Sequence, residues 1–135
     1  MKQLNVYLAF PGTCESALNF YKDALGGEIV SLQRYGETPM GAPEDQKQLV
    51  MHATFKAEGV DLMACDVNDK HLVNSGNQVS LSLNLDDEAE QTDIFNKLAA
   101  GGQITMPLED TFWNARFGML TDQFGVCWLL NCEKK

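Results

Sequence analysis

The decapeptide Phe20-Tyr-Lys-Asp-Ala-Leu-Gly-Gly-Glu-Ile29 recurs as Phe95-Asn-Lys-Leu-Ala-Ala-Gly-Gly-Gln-Ile104, 95 − 20 = 75 positions later. The same offset pairs Asn5 with Ser80 and Tyr7 with Ser82. Further on, Glu58-Gly-Val-Asp-Leu-Met63 pairs with Phe124-Gly-Val-Cys-Trp-Leu129 at an offset of 124 − 58 = 66. The difference, 75 − 66 = 9 residues, falls in a loop of the first half, Gly36 to Asp45, which carries two prolines and two glycines. A repeat of this kind limits the fold severely: whatever unit the first half builds, the second half builds again.

The pattern inside each copy says what the unit is. Leu4, Val6, Leu8 and Phe10 alternate with Asn5, Tyr7 and Ala9, the period of a strand with one buried face. Pro11-Gly12 turns the chain, and Thr13 is placed to cap a helix. The helix has its apolar face at Ala17, Phe20, Tyr21, Ala24 and Leu25, and Gly26-Gly27 ends it, one glycine in the left-handed cap. Strands follow over Glu28 to Tyr35, Leu49 to Lys56 and Val60 to Asp66. After the polar connection Asn68 to Asn77, where His71 is expected to be solvated, the plan restarts. Val79 to Leu85 alternates, Asp87 with Glu90 starts a helix in the manner of a capping box, and Gly101-Gly102 ends it. Strands are expected over Gln103 to Met106, Arg116 to Thr121 and Val126 to Asn131. The expected fold class is therefore α+β. Two βαβββ modules, 1–67 and 78–135, form a single domain with a curved, barrel-like sheet and the helices outside. Each sheet gives its leucines and valines to its own helix, and its more polar face is free to line a concavity.

Residues 110–130 concentrate the aromatics, with both tryptophans and three of the seven phenylalanines. Phe112-Trp113 precedes the last hairpin in a loop, where two large rings need a pocket wall or a partner surface. Trp128 lies on the leucine side and belongs to the core.

The formal net charge of −9 repels phosphate backbones and anionic membranes, so no nucleic acid and no membrane partner is expected. No apolar run approaches the roughly 20 residues of a bilayer span. The start of the chain lacks the apolar core of a signal peptide, so a cytoplasmic location is expected. Cys14, Cys65, Cys127 and Cys132 are scattered, with no C-x-x-C, and read as reduced thiols. A small molecule and a second copy of the chain, as a homodimer, are the expected partners.

The doubled βαβββ plan, with Phe20-Tyr21 and Leu25-Gly26 after the first strand, resembles the vicinal oxygen chelate superfamily of glyoxalase I, bleomycin-resistance proteins and extradiol dioxygenases. The closer resemblance is to its PhnB-like branch. It rests on Tyr7-Leu-x-Phe10, Ala17-x-x-Phe-Tyr21, Gly26-Gly-Glu28, Met51-His-Ala53, Leu62-Met63 with Asp66, Met106-Pro107, Phe112-Trp113 and Asp122-x-Phe-Gly-Val-x-Trp128. Some members of the branch carry a methyltransferase label. The sequence offers that label no glycine-rich strand-to-helix turn for a nucleotide cofactor.

In metal-binding members of the superfamily, four His, Glu or Gln ligands come from the first and last strand of each half. The resemblance and the repeat carry those places onto Asn5, Met63, Ser80 and Leu129. Leucine has no donor, a thioether suits soft metals only, and a register error of one residue brings in Val6, Leu62, Leu81 or Leu130. No metal and no other cofactor is therefore expected, although a divalent ion held by other ligands stays open.

Candidate ligand-binding residues on the polar faces and lids are Asn5, Tyr7, His52, Ser80, Ser82, Phe112, Trp113 and Arg116. Arg116 is the cation placed to take a carboxylate or phosphate, if it shares the pocket face with Gly118 and Leu120. The candidates for catalysis are His52 and Asp66, as an ion site or as an acid–base pair with the carboxylate orienting the imidazole. Three readings stand together at this stage: a metal-free binder of a small organic molecule, an enzyme with atypical ligands, and an interaction protein whose aromatic loop is an interface. Whether any reaction is catalysed stays undecided.

Overall fold

The structure, a computed structural model, describes residues 3–39, 41–67, 73–74, 76 and 78–134. His71 lies outside these residues. The chain divides into two compact units, Met1–Asn74 and Ser75–Lys135.

The first unit holds β1 (Val6–Phe10), α1 (Cys14–Leu25), β2 (Glu28–Arg34), β3 (Val50–Ala57) and β4 (Val60–Asp66). Its sheet has the order β1-β4-β3-β2. β1 runs parallel to β4, with Tyr7 opposite Met63 and Phe10 opposite Asp66. The other pairs are antiparallel. The second unit repeats this with β5 (Leu81–Leu85), α2 (Glu88–Ala99), β6 (Gln103–Asp110), β7 (Ala115–Thr121) and β8 (Cys127–Glu133), in the order β5-β8-β7-β6. The α+β class and the two βαβββ modules are those expected. Among the described residues the strands form two separate four-stranded mixed sheets, with no closed barrel.

Alternation decides which face each sheet buries. In the first unit Ala53, Phe55, Leu62 and Ala64 are buried with Ala17, Leu18 and Tyr21 of α1. In the second, Leu120, Trp128 and Leu130 are buried with Ile94, Phe95 and Leu98 of α2. Burying side chains of this size stabilises by roughly 1.5–3 kcal/mol each before entropy is subtracted, so these two clusters hold the units together. Trp128 is in the core, as expected, and its indole Nε1 donates to Asp122 at 2.9 Å. Asp122 also accepts from the Phe124 and Val126 N–H groups, which fixes the β7–β8 turn.

Two local expectations are corrected. Thr13 makes no side-chain capping bond; the first N–H of α1, that of Cys14, is taken instead by the Asp66 carboxylate at 2.8 Å. A carboxylate is the better acceptor at a helix N-terminus, because its charge meets the positive end of the dipole. β6 does not stop at Met106 but runs through Pro107 to Asp110. It is an edge strand with irregular register around Pro107, the setting in which a strand tolerates a missing N–H. In α2 the expected start holds, with Asp87 accepting from the Glu90 N–H at 2.9 Å.

Candidate functional site

The open face of the first sheet brings together residues far apart in sequence. Tyr7 on β1 and His52 on β3 lie on either side of β4, and the Tyr7 ring spans that strand. Its hydroxyl lies 3.4 Å from His52 Nδ1, with the two rings 5.8 Å apart. Partial burial raises the Tyr7 phenol, and the hydrogen bond and charge of Cys65 push it further, to about 12. Tyr7 therefore stays protonated through the neutral range, a phenol that donates rather than a phenolate. Next to it, Tyr35 donates its hydroxyl to the Asp66 carbonyl at 3.0 Å, and burial with the charge of Cys65 raises that phenol too. The ring of Tyr7 is half exposed, 51%, so this group faces the outside of the sheet. Asn5, just ahead of β1, lines a shallow depression of about 160 Å³ with Thr54, Lys56, Asp61 and Met63.

The pairing of His52 with Asp66 is not made. Asp66 is 2% exposed and sits on the helix side of the sheet, where Oδ1 accepts from the Cys14 N–H and Oδ2 from the Val50 N–H at 2.9 Å. β-strand alternation is the cause: Leu62, Ala64 and Asp66 share the buried face, while Met63 and Cys65 point the other way with His52. Asp66 is a structural clamp between α1, β3 and β4.

Arg116 is also corrected. It does share a face with Gly118 and Leu120, but that face is covered by α2. Its Nη1 donates to Thr92 Oγ1 at 2.8 Å, to the Glu88 carbonyl at 3.2 Å and to Gln91 Oε1 at 3.3 Å. Gln91, fully buried, completes the link by donating Nε2 to the carbonyls of Arg116 and Leu130. Gly118 lets α2 come close, since a Cβ there would run into Phe95 and Leu108. Arg116→Met is expected to lower stability in urea denaturation by about 1–2 kcal/mol, the scale of a charge-assisted hydrogen bond with partial exposure, without altering ligand affinity.

In the second unit Ser82 is exposed on β5, and Ser80, just before that strand, is half-buried. Phe112 is 97% exposed and Trp113 50%. The two rings meet edge to face at 5.0 Å, and Trp113 meets Phe117 at 5.8 Å. Asn114 closes this loop at φ 62, in the left-handed region that asparagine tolerates better than most side chains. The open aromatic loop is thus held by ring contacts and one strained residue.

All four cysteines are free. Burial pushes the Cys14 thiol to about 12 and raises that of Cys132, so both stay protonated and unreactive. Cys65 and Cys127 are the half-exposed pair. The four places onto which the resemblance carries the superfamily metal ligands, Asn5, Met63, Ser80 and Leu129, hold an amide, a thioether, a hydroxyl and a hydrocarbon. That donor set does not fit a divalent ion of the nickel, zinc or manganese kind.

The family described as 3-demethylubiquinone-9 3-methyltransferase matches residues 2–131. The chain belongs to this PhnB-like family. Protein PA1353 from Pseudomonas aeruginosa is 41% identical, with each chain covered in full and a TM-score of 0.88. The PhnB protein from Bacillus cereus is 35% identical over 97% of this chain and 99% of that one, with a TM-score of 0.83. Protein YjdN of Escherichia coli (strain K12) is 32% identical over 98% of this chain and 96% of its own length. The fold of this PhnB-like chain is that of the vicinal oxygen chelate, or glyoxalase/bleomycin-resistance, superfamily. No helix among the described residues is long and apolar enough to cross a membrane.

Proposed function

We propose that this PhnB-like chain binds a small organic molecule on the polar open faces of its sheets, acting as a cytoplasmic homodimer and without the superfamily metal. The observation that carries the reading is the Tyr7–His52 pair on the open face of the first sheet. A protonated phenol and an imidazole side by side offer a donor and an acceptor beside apolar Met63. Asn5 adds a polar group on the same unit. On the second unit, Ser80 and Ser82 offer polar groups of their own, and the exposed rings of Phe112 and Trp113 stand there as an apolar wall or as part of the contact with a second copy.

A thermal-shift screen of organic acids, amides and heterocycles tests the reading, followed by calorimetry on the hits. A hit is expected to weaken by about tenfold in Tyr7→Phe or His52→Ala, the 1–1.5 kcal/mol of one hydrogen bond. Metal analysis after incubation with nickel, zinc or manganese is expected to show no stoichiometric ion; one tightly bound equivalent would sink the proposal. Light scattering of wild type and Trp113→Ala reads the assembly. A monomeric wild type removes the homodimer.

A further inference from the structure

We propose that Cys65, His52 and Met63 form a site for a soft, thiophilic metal ion of the copper(I) class. All three belong to the first unit, on the open face of its sheet. Met63 and Cys65 lie two apart on β4, so their side chains leave the sheet on the same side, and both are half-buried. The β3–β4 ladder pairs Ala53 with Ala64 and Thr54 with Met63. The ladder ends at the Ala53–Ala64 pair, and one more step in its register would put His52 opposite Cys65. Residues directly opposite on antiparallel strands have Cβ atoms about 4.5–5.5 Å apart. Metal–sulfur and metal–nitrogen bonds of about 2.0–2.3 Å let one ion bridge that gap. Met63 sits one pair along, and its three rotatable bonds let its sulfur reach the same point.

The local hydrogen bonds set the imidazole up for this role. The Tyr7 hydroxyl lies 3.4 Å from His52 Nδ1. With that nitrogen engaged, Nε2 is the one left for an ion, and an outer partner on the second nitrogen is the usual companion of a ligating histidine. At 3.4 Å the contact is longer than a good hydrogen bond, so it yields readily when an ion arrives. Binding converts the Cys65 thiol to thiolate and releases one proton to solvent, with no change in oxidation state.

The donor set selects the ion. A thiolate and a thioether together favour the soft copper(I) ion over oxygen-preferring ions. Among the described residues no three His, Cys, Asp or Glu side chains gather; the thioether is what completes the cluster. Asn5, Ser80 and Leu129 play no part. The site does not rest on the small-molecule reading: organic-ligand binding and copper(I) transfer are separate readouts, and a zinc equivalent that is lost in Cys65→Ser belongs to this site and not to the superfamily one.

The test is anaerobic transfer of copper(I) to fully reduced protein from its coloured bathocuproine disulfonate complex. Wild type is expected to remove one equivalent from the chelator. Cys65→Ser is expected to remove none. His52→Ala and Met63→Leu are each expected to weaken binding by about tenfold or more, since losing a ligand costs at least what losing an outer partner does. Cys127→Ser, on the second unit, is expected to match wild type. The replaced side chains leave the open face, and circular dichroism with a thermal melt confirms that each variant is folded. No transfer to wild type overturns the proposal. So does full transfer to Cys65→Ser, or a Cys65-dependent transfer that neither His52→Ala nor Met63→Leu weakens, which would be a lone thiol.

Discussion

Asp66→Ala is expected to destabilise the protein by about 2–6 kcal/mol, because it leaves two buried backbone N–H groups without an acceptor at about 1–3 kcal/mol each. Those groups belong to Cys14, at the start of α1, and Val50, at the start of β3. One carboxylate thus ties the helix and the sheet together from the end of β4. A loss of that size is a large part of the 5–15 kcal/mol by which domains are stable, so the variant is expected to be partly unfolded at room temperature. Asp66→Asn keeps the shape and one acceptor oxygen and is expected to fall between. Urea denaturation checks both. An alanine variant within 0.5 kcal/mol of wild type would mean that the two bonds carry no stability. Reading Asp66 as a catalytic carboxylate predicts instead a stable, inactive protein.

Gly102→Ala is expected to cost about 1–3 kcal/mol or more, the range of overpacking, and Gly27→Ala a similar amount. The two glycines are equivalent, since 27 + 75 = 102. At each, a Cβ would run into backbone: the Lys56 carbonyl for Gly27, and the Thr121 carbonyl with the Asp122 main chain for Gly102. No rotamer change relieves such a clash, so the strand that starts there must move off its neighbour. The preceding glycines do a different job. Gly26 and Gly101 have φ of 73° and 75° and end the helix in the left-handed region. Nothing lies within 4 Å of a Cβ at Gly26. Gly26→Ala is therefore expected to cost only the backbone term of about 1–2 kcal/mol. Thermal or urea denaturation of the alanine set separates the two roles. Equal effects at Gly26 and Gly27 would deny the close approach.

The repeated glycine pair was readable in the letters, and so was most of the fold. The strand and helix periods, the Asp87 cap and the Trp128 core position all follow from nearest-neighbour chemistry along the chain. The candidate site was less legible. Tyr7 and His52 were each readable as polar-face residues, yet nothing in a 45-residue separation says that their side chains touch. Cys65 was recognisable as a face-mate of Met63, but its place beneath the Tyr7–His52 contact depends on β4 lying between β1 and β3. The role of Gln91 is not legible in the sequence. Its only sequence signal is a polar residue among the apolar positions of α2, which a solvent-facing residue would also give.

Arg116 and Asp66 mark the boundary most clearly. Alternation puts Arg116 with Gly118 and Leu120; the same rule puts Asp66 with Leu62 and Ala64, opposite Met63 and Cys65, which the expected His52–Asp66 pair did not respect. It could not say which set faces the helix when the set contains a charge. A charged residue on a buried face is retained only where backbone groups or a helix end need its hydrogen bonds, and those partners come from distant parts of the chain. The repeat, the two βαβββ modules and the family were thus determined by the sequence itself, because they rest on local periods and on short motifs. The tertiary structure decided which polar residues became clamps and which stayed on the open face, because hydrogen bonds across strands and onto helix termini exist only after the sheets have formed.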